Sequence, residues 1–389
     1  MENKERALAH VEKIEWIRPI EGADNIELIG VLGWVCIAKK GEFNVGDMAV
    51  YIEIDSKCPE TDERFAFLAN KKFKVKTMKL GKFKVISQGL ALPLSLFPEL
   101  QDKKIGDDVT EALKITYASE EDAARKTNKI DPNAKYKSMA KRRPKLFANP
   151  IVRRIMRYSI GRKIMFMLFG RKKDNPKKFP DWIVKTDETR IENAPFYLQS
   201  TEKWIKTEKC DGTSCTFAVD RLKKGKNKFD FIVCSRNVRQ ADREQACYHE
   251  SNIYWELADK YDIEKILTQF ATENNYNRVV LQGEGIGSVQ GNPYKFTENK
   301  LFVFNLIIDG IRLGTVEMAD FCKSHGLTSV PIIDTAYELP KTMEEMKLEA
   351  DGYSELNPKV KREGFVYRDI LGQKSFKNVS REYLLKHNG

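Results

Sequence analysis

Residues 207–217 read TEKCDGTSCTF. Apolar and polar residues alternate on both sides of the tetrapeptide Lys209-Cys210-Asp211-Gly212, which predicts two strands joined by a turn with Lys209 at its start. A lysine amine is a poor nucleophile while protonated near its reference pKa of about 10.4. Partial burial, with a neighbouring cation or a metal, lowers that value and frees the lone pair. Gly212, without a Cβ, would let backbone approach a bound group closely. Alone, such a tetrapeptide is also what an ordinary surface hairpin would show.

An ordered series downstream adds weight. Arg236 ends the strand-like run FDFIVCSR (229–236), and LQGEGIG (281–287) closes an apolar strand with Glu284 between glycines. FVFNLIID (302–309) reads as a buried strand bearing Phe304. EGFVYR (363–368) opens a strand with Glu363 and Gly364, and SFKNVS (375–380) carries Lys377. Each segment puts a polar group on or beside a strand, where side chains from several strands can converge on one cleft.

Further out, residues 1–115 look all-β. GWVCIAKK (33–40) and DMAVYIEID (47–55) alternate over strand length around a turn with Gly41 and Gly46, and FKVKTMKL (73–80) and GLALP (89–93) add short strands. That density of strands predicts a small barrel. From Asp181 onward strand and helix patterns mix, with long helices expected over 245–274 and 315–325. The fold class expected is therefore α+β, divided as 1–115, 116–180 and 181–389.

In this order and spacing the six segments resemble the motifs of the covalent nucleotidyltransferase superfamily of ATP-dependent ligases and capping enzymes. IRPIEGADNIELIGVLGW (17–34), KKGEFNVGDMAVYIEIDSKCP (39–59) and KTDETRIEN (185–193) look like nick-sealing RNA ligases of the branch with an N-terminal OB-fold domain. The resemblance covers about 1–115 and 180–389. It implies an OB-like nucleic-acid-binding barrel before an adenylation domain built on antiparallel sheets. It also implies joining of RNA 3′-OH and 5′-phosphate ends through lysyl-AMP and RNA-adenylate, at nicks in duplexes, with ATP as co-substrate and Mg or Mn as the metal. Lys209 would attack the ATP α-phosphorus and Lys377 would neutralise the α-phosphate. Glu363 would hold the metal, and Glu284 the ribose or the metal. Phe304 would stack on adenine with Val366 on the other ring face. Glu208 would take the adenine amino group and Arg236 the ribose or a phosphate, while Asp211 and Gly212 complete the nucleotide site. Read as ordinary structure, Phe304 is core and Arg236 and Glu208 are surface ion-pair partners.

Two positions depart from the superfamily pattern. Ser214 stands where DNA ligases and capping enzymes usually carry arginine, which favours RNA ligase over a DNA-preferring ligase or a capping-type enzyme. Ser375 stands where nick-sealing RNA ligases often carry the first lysine of a Lys-x-Lys pair. A reading from another class, a non-catalytic OB-fold RNA-binding protein, leaves the set Lys209, Glu284, Glu363 and Lys377 without a purpose.

The net charge is +11, and residues 123–178 hold 19 Lys and Arg against Asp131 and Asp174, so this stretch is +17 and the rest of the chain −6. Such asymmetry points to a polyanion, with barrel and linker together gripping a phosphate backbone. Within it, IVRRIMRYSIGRKIMFMLF (151–169) has apolar residues at helical spacing between arginines, a stripe expected to dock on a neighbouring domain, with a surface helix at anionic lipid or nucleic acid as the alternative. Its charges exclude a membrane span, which needs about 20 apolar residues. The N-terminus lacks the apolar core of a signal peptide. Seven cysteines without a CxxC pair and four scattered histidines argue against disulfides and structural zinc. A cytoplasmic monomer without a membrane partner is expected.

Overall fold

The computed structural model describes residues 6–118, 144–169, 177–223, 228–240, 252–288 and 292–387. Strands β1 (Ala9–Pro19), β2 (Ile26–Val31), β3 (Trp34–Lys39), β4 (Met48–Ile52) and β5 (Leu90–Pro93) form an antiparallel sheet in the order β3-β2-β1-β4-β5. β1 serves both halves: Ile14–Pro19 pair with β2, while Ala9–Lys13 pair with β4. A register shift between Ile14 and Trp16 lets the strand turn that corner, as a bulge does in small barrels. The Gln88 N–H donates to Val35 O at 2.8 Å, drawing the free edge of β3 towards the chain that enters β5. The strand expected over 73–80 is shortened to Met78–Leu80; Lys72 and Phe73, with φ of +54° and +59°, take the expected first residue out of extended geometry.

Helices α1 (Pro144–Ala148), α2 (Pro150–Met156) and α3 (Ser159–Phe169) follow. The stripe expected to dock does not: among its described side chains Met165 is buried and most of the large apolar ones are exposed. The rest of the basic stretch, 123–143 and 170–176, lies outside the described residues, as does Cys247.

The remaining strands build two sheets facing each other. β6 (Trp204–Lys209), β7 (Thr213–Arg221), β8 (Phe229–Cys234), β9 (Arg278–Ile286), β10 (Lys300–Ile308), β11 (Ile332–Tyr337), β12 (Gly364–Asp369) and β13 (Ser375–Val379) supply them. The larger sheet has β8-β7-β9-β10 at its centre, and the smaller runs β11-β6-β12-β13. Alternation along β7 and β9 sends Cys215, Phe217, Val219, Val279 and Leu281 to one face. There they pack under α4 (Ile253–Lys260), α5 (Ile263–Glu273) and α6 (Thr315–Ser324). The one helix expected over 245–274 is two, because Asp262 takes φ +49° and turns the chain between α4 and α5; residues 245–251 lie outside the described set.

The barrel is tied to the segment 190–193, which bridges to Lys377 of the smaller sheet: Trp34 Nε1 donates to Asn193 Oδ1 (2.5 Å), Asn193 Nδ2 to Glu53, Gly33 N–H to Glu192 O (2.8 Å), and Arg190 pairs with Asp55 (2.9 Å). Val379 on β13, with Leu384 on α7 (Arg381–His387), enters the barrel's own apolar cluster.

Candidate active site

Lys209 is the last residue of β6, and its register partner is Gly364, the first residue of β12. Glu363 therefore leads into β12 directly beside the lysine, and Nζ lies 2.6 Å from Glu363 Oε1. Gly364 suits the place, having φ +149° and no room for a Cβ, which would lie 2.1 Å from Asn378 O. The turn after Lys209 carries Asp211 into β7, whose Ser214 is registered opposite Glu284 on β9. Glu284, Glu363 and Asp211 all act on the Lys209 ammonium. Burial opposes that charge, but the three carboxylates outweigh burial and raise the lysine's pKa. The expected lowering is thus reversed, since the charges that act most strongly on Lys209 are acids. Burial pushes the Glu284 carboxyl up to about 8 despite Lys209, and raises Glu363 as well.

Strand alternation decides what else shares this cleft. Lys209 and Thr207 on β6, Val366 and Arg368 on β12, and Ser375 and Lys377 on β13 occupy one face of the smaller sheet. Lys377 is buried and its Nζ donates to Asp187 Oδ1 at 2.5 Å. Burial lowers its pKa to about 8, with Asp187 pulling the other way. Arg236, exposed in the turn after β8, donates to the other oxygen of Asp187 at 3.2 Å. Lys377 and Arg236 hold the Asp187 carboxyl well below its ordinary range, although burial works against them. Asp187 lies within the KTDETRIEN segment, yet no sequence pattern marked it, because its role comes from two residues far along the chain. Its neighbour Glu188 joins Arg368 (3.0 Å), Arg312 (3.5 Å) and Ser375, so two arginines stand beside the serine at the departing Lys-x-Lys position.

Phe304 is the extra residue at a register shift in β10, since Gln282 faces Asn305 while Gly283 faces Val303. It is half-buried, and its carbonyl accepts a 3.0 Å bond from Arg368, which ties the two sheets. Val366, also half-buried, lies two residues from Arg368 on the same face. Glu208 points to the opposite face of β6 from Lys209. It is buried, Oε2 accepts the Glu355 N–H at 2.8 Å, and Oε1 makes no hydrogen bond of ordinary geometry. Burial raises its pKa. A Cβ on Gly212 would meet Gly285 O at 2.6 Å and Ile286 Cγ1 at 2.9 Å, so the protein's own β9 fills the space that a ligand was expected to need. Tyr294, which no sequence signal marked, accepts the Asp211 N–H on its hydroxyl at 2.9 Å.

Comparison with known proteins gives this arrangement relatives. A family model described as an OB-fold domain matches residues 8–94, and one described as RNA ligase matches 202–385. No curated protein sequence matches. Among solved structures, Naegleria gruberi RNA ligase with PPi is 31% identical with a TM-score of 0.75, the match covering 98% of this chain and 99% of that one. A variant of the same enzyme with ATP and Mn is 30% identical (TM-score 0.74), and another with AMP and Mn is 31% identical (TM-score 0.75), both with the same coverage. Sequence and fold agree along nearly the whole length, and the chain belongs to the ATP-dependent RNA ligases of the covalent nucleotidyltransferase superfamily.

Proposed function

We propose that this ligase seals nicks in RNA-containing duplexes, with Lys209 as the residue that carries AMP. The observation that supports this best is the Lys209–Glu363 contact at 2.6 Å, with Glu284 and Asp211 acting on the same amine. In the first step the Lys209 nitrogen forms a bond to the ATP α-phosphorus, the bond to pyrophosphate breaks, and the amine gives up its proton. Lys377 and Arg236 would place positive charge where the phosphates gain negative charge, the main contribution a protein makes to this chemistry. AMP then passes to the RNA 5′-phosphate, and the 3′-OH attacks that activated phosphate and expels AMP.

Phe304 and Val366 are half-buried apolar groups at the cleft and suit the two faces of adenine. Glu208 is assigned to the adenine amino group, towards which its side chain would have to turn from the Ser354 and Glu355 side. Among the described residues no three His, Cys, Asp or Glu side chains form a ready metal cage. The donor set instead fits magnesium or manganese held by Glu363 and Glu284 together with substrate phosphates and water. Bound there, the cation would offset phosphate charge and relieve the carboxylate field that keeps Lys209 protonated. The barrel would grip the phosphate backbone, sensing RNA through its 2′-hydroxyls. We place the enzyme in the cytoplasm as a monomer; the six described cysteines are all unpaired, as a reducing compartment would leave them.

Incubation with α-labelled ATP and magnesium or manganese should give a covalently labelled protein, and Lys209→Ala and Lys209→Arg should not label, since arginine stays protonated. Lys209→Ala should still seal a nick whose 5′ end is already adenylylated. Persistent labelling of either variant would move the nucleophile elsewhere.

A further inference from the structure

Seven of the 21 large apolar side chains exposed among the described residues lie between Ile151 and Leu168, so one short segment concentrates the protein's apolar surface. On α3 the exposed residues are Ile160, Ile164, Met167 and Leu168, spaced i, i+4, i+7 and i+8, which puts them on one face of the helix. Met167 is 82% exposed and Ile160 71%. Ile151, Ile155 and Tyr158 continue the surface on α2 and the bend after it. Gly161 lies against Ile155, where a Cβ would lie 2.1 Å from the Ile155 carbonyl oxygen, so the two helices pack closely. Met165 is buried.

Charge narrows what can cover this face. Arg153, Arg154, Arg157, Arg162 and Lys163 are interleaved with it, and from Pro132 to Lys173 there are 14 Lys and Arg and no Asp or Glu. A nucleic-acid backbone would satisfy the cations but leave seven large apolar side chains in water. An apolar protein groove would cover the side chains but not the cations. A surface that is anionic outside and hydrocarbon beneath satisfies both, with aliphatic groups inserted and basic heads at the phosphate level. No described helix is long and apolar enough to cross a membrane, so the contact is a peripheral one. We infer, against the expectation of no membrane partner, that α2 and α3 form an interfacial anchor that holds this RNA ligase on anionic phospholipid. The cytoplasmic leaflet is the face that carries such lipid.

The test uses the full chain with vesicles of phosphatidylcholine alone or mixed with phosphatidylglycerol. The protein should sediment with the mixed vesicles and remain in solution with neutral ones. Replacing Ile160, Ile164, Met167 and Leu168 together by Ser should abolish sedimentation. Arg153→Gln, Arg154→Gln and Arg157→Gln should weaken it roughly fivefold per charge removed. In both variants labelling by ATP should stay at the wild-type level, which shows that they fold. Met167→Trp should shift its fluorescence to the blue on mixed vesicles. Wild-type protein left in the supernatant with mixed vesicles overturns the inference, as does a serine variant that sediments equally well. It is also overturned if the serine variant instead loses RNA binding, which makes the segment a nucleic-acid grip, or loses self-association without lipid, which makes it a contact between copies.

Discussion

Asp187 is the residue whose surroundings say most about the phosphate side of the site. It receives Lys377 at 2.5 Å and Arg236 at 3.2 Å, and so fixes two cations taken from different sheets. With Asp187 present the Lys377 ammonium, depressed by burial, titrates at about 8. Removing the carboxylate takes away the largest influence holding it up, so in Asp187→Asn the ammonium is lost at lower pH. The alkaline limb of the ATP-labelling profile should therefore move to lower pH, with activity near pH 7 less affected; an unmoved limb would detach Lys377 from the first step. Glu363→Ala should cut labelling by about 10–100-fold without changing the melting temperature, as loss of a metal-supporting carboxylate does. Wild-type labelling with unchanged metal dependence would remove Glu363 from that role. Lys209 and Glu363 could be read from the chain because each sits in a local turn or strand start. Asp187 could not, since nothing within KTDETRIEN distinguishes an acid facing solvent from one clamped by Lys377. The direction of the Lys209 shift was likewise hidden, because it depends on three acids brought together by β6, β9 and β12.

At the scale of elements, period-two alternation was enough to place β3, β4 and the two strands on either side of the Lys209 turn, although only β3 has a burial that repeats every second residue; β4 and β7 are covered on both faces. It failed where the backbone leaves regular geometry: at Phe73, where the strand expected over 73–80 does not start, and at Asp262, which splits a helix, both in the left-handed region. The stripe over 151–169 has a true helical period, but a period does not say whether a partner exists. The turn between β6 and β7 carries a testable consequence. Gly212 lies so close to β9 that a methyl group there must push strands apart. Gly212→Ala should destabilise the protein by about 1–3 kcal/mol, the range for overpacking, whereas Gly81→Ala, with nothing within 4 Å of its Cβ position, should sit close to wild type. Thermal or urea unfolding of the two variants compares them, and equal midpoints would show that the β6–β7 turn yields freely.

At the scale of the whole molecule, the junction between barrel and catalytic sheets is built of buried charge. Glu53 accepts from Arg6 and Asn193, and His10 lies between Glu12 (2.8 Å) and Glu53 (3.5 Å). Burial opposes charging His10, but the two carboxylates outweigh it and raise its pKa to about 9. A histidine raised in the folded state adds stability that is complete below its unfolded value of about 6.5 and disappears as pH climbs through the folded value. Wild type should thus lose about 1–3 kcal/mol between pH 6 and 9.5 that His10→Gln does not lose. Urea unfolding at the two pH values measures the difference, and parallel losses would mean that His10 is neutral in the fold.

Val379 and Leu384, in turn, bear on how the protein comes off the ribosome. Both belong to the apolar cluster of a barrel whose strands are made first, with the catalytic sheets encoded between. The nascent barrel must hold an unfinished core open through most of translation, and it closes only when those late residues arrive. Leu384→Asp should therefore leave the catalytic sheets in place beside a barrel that proteases cut first.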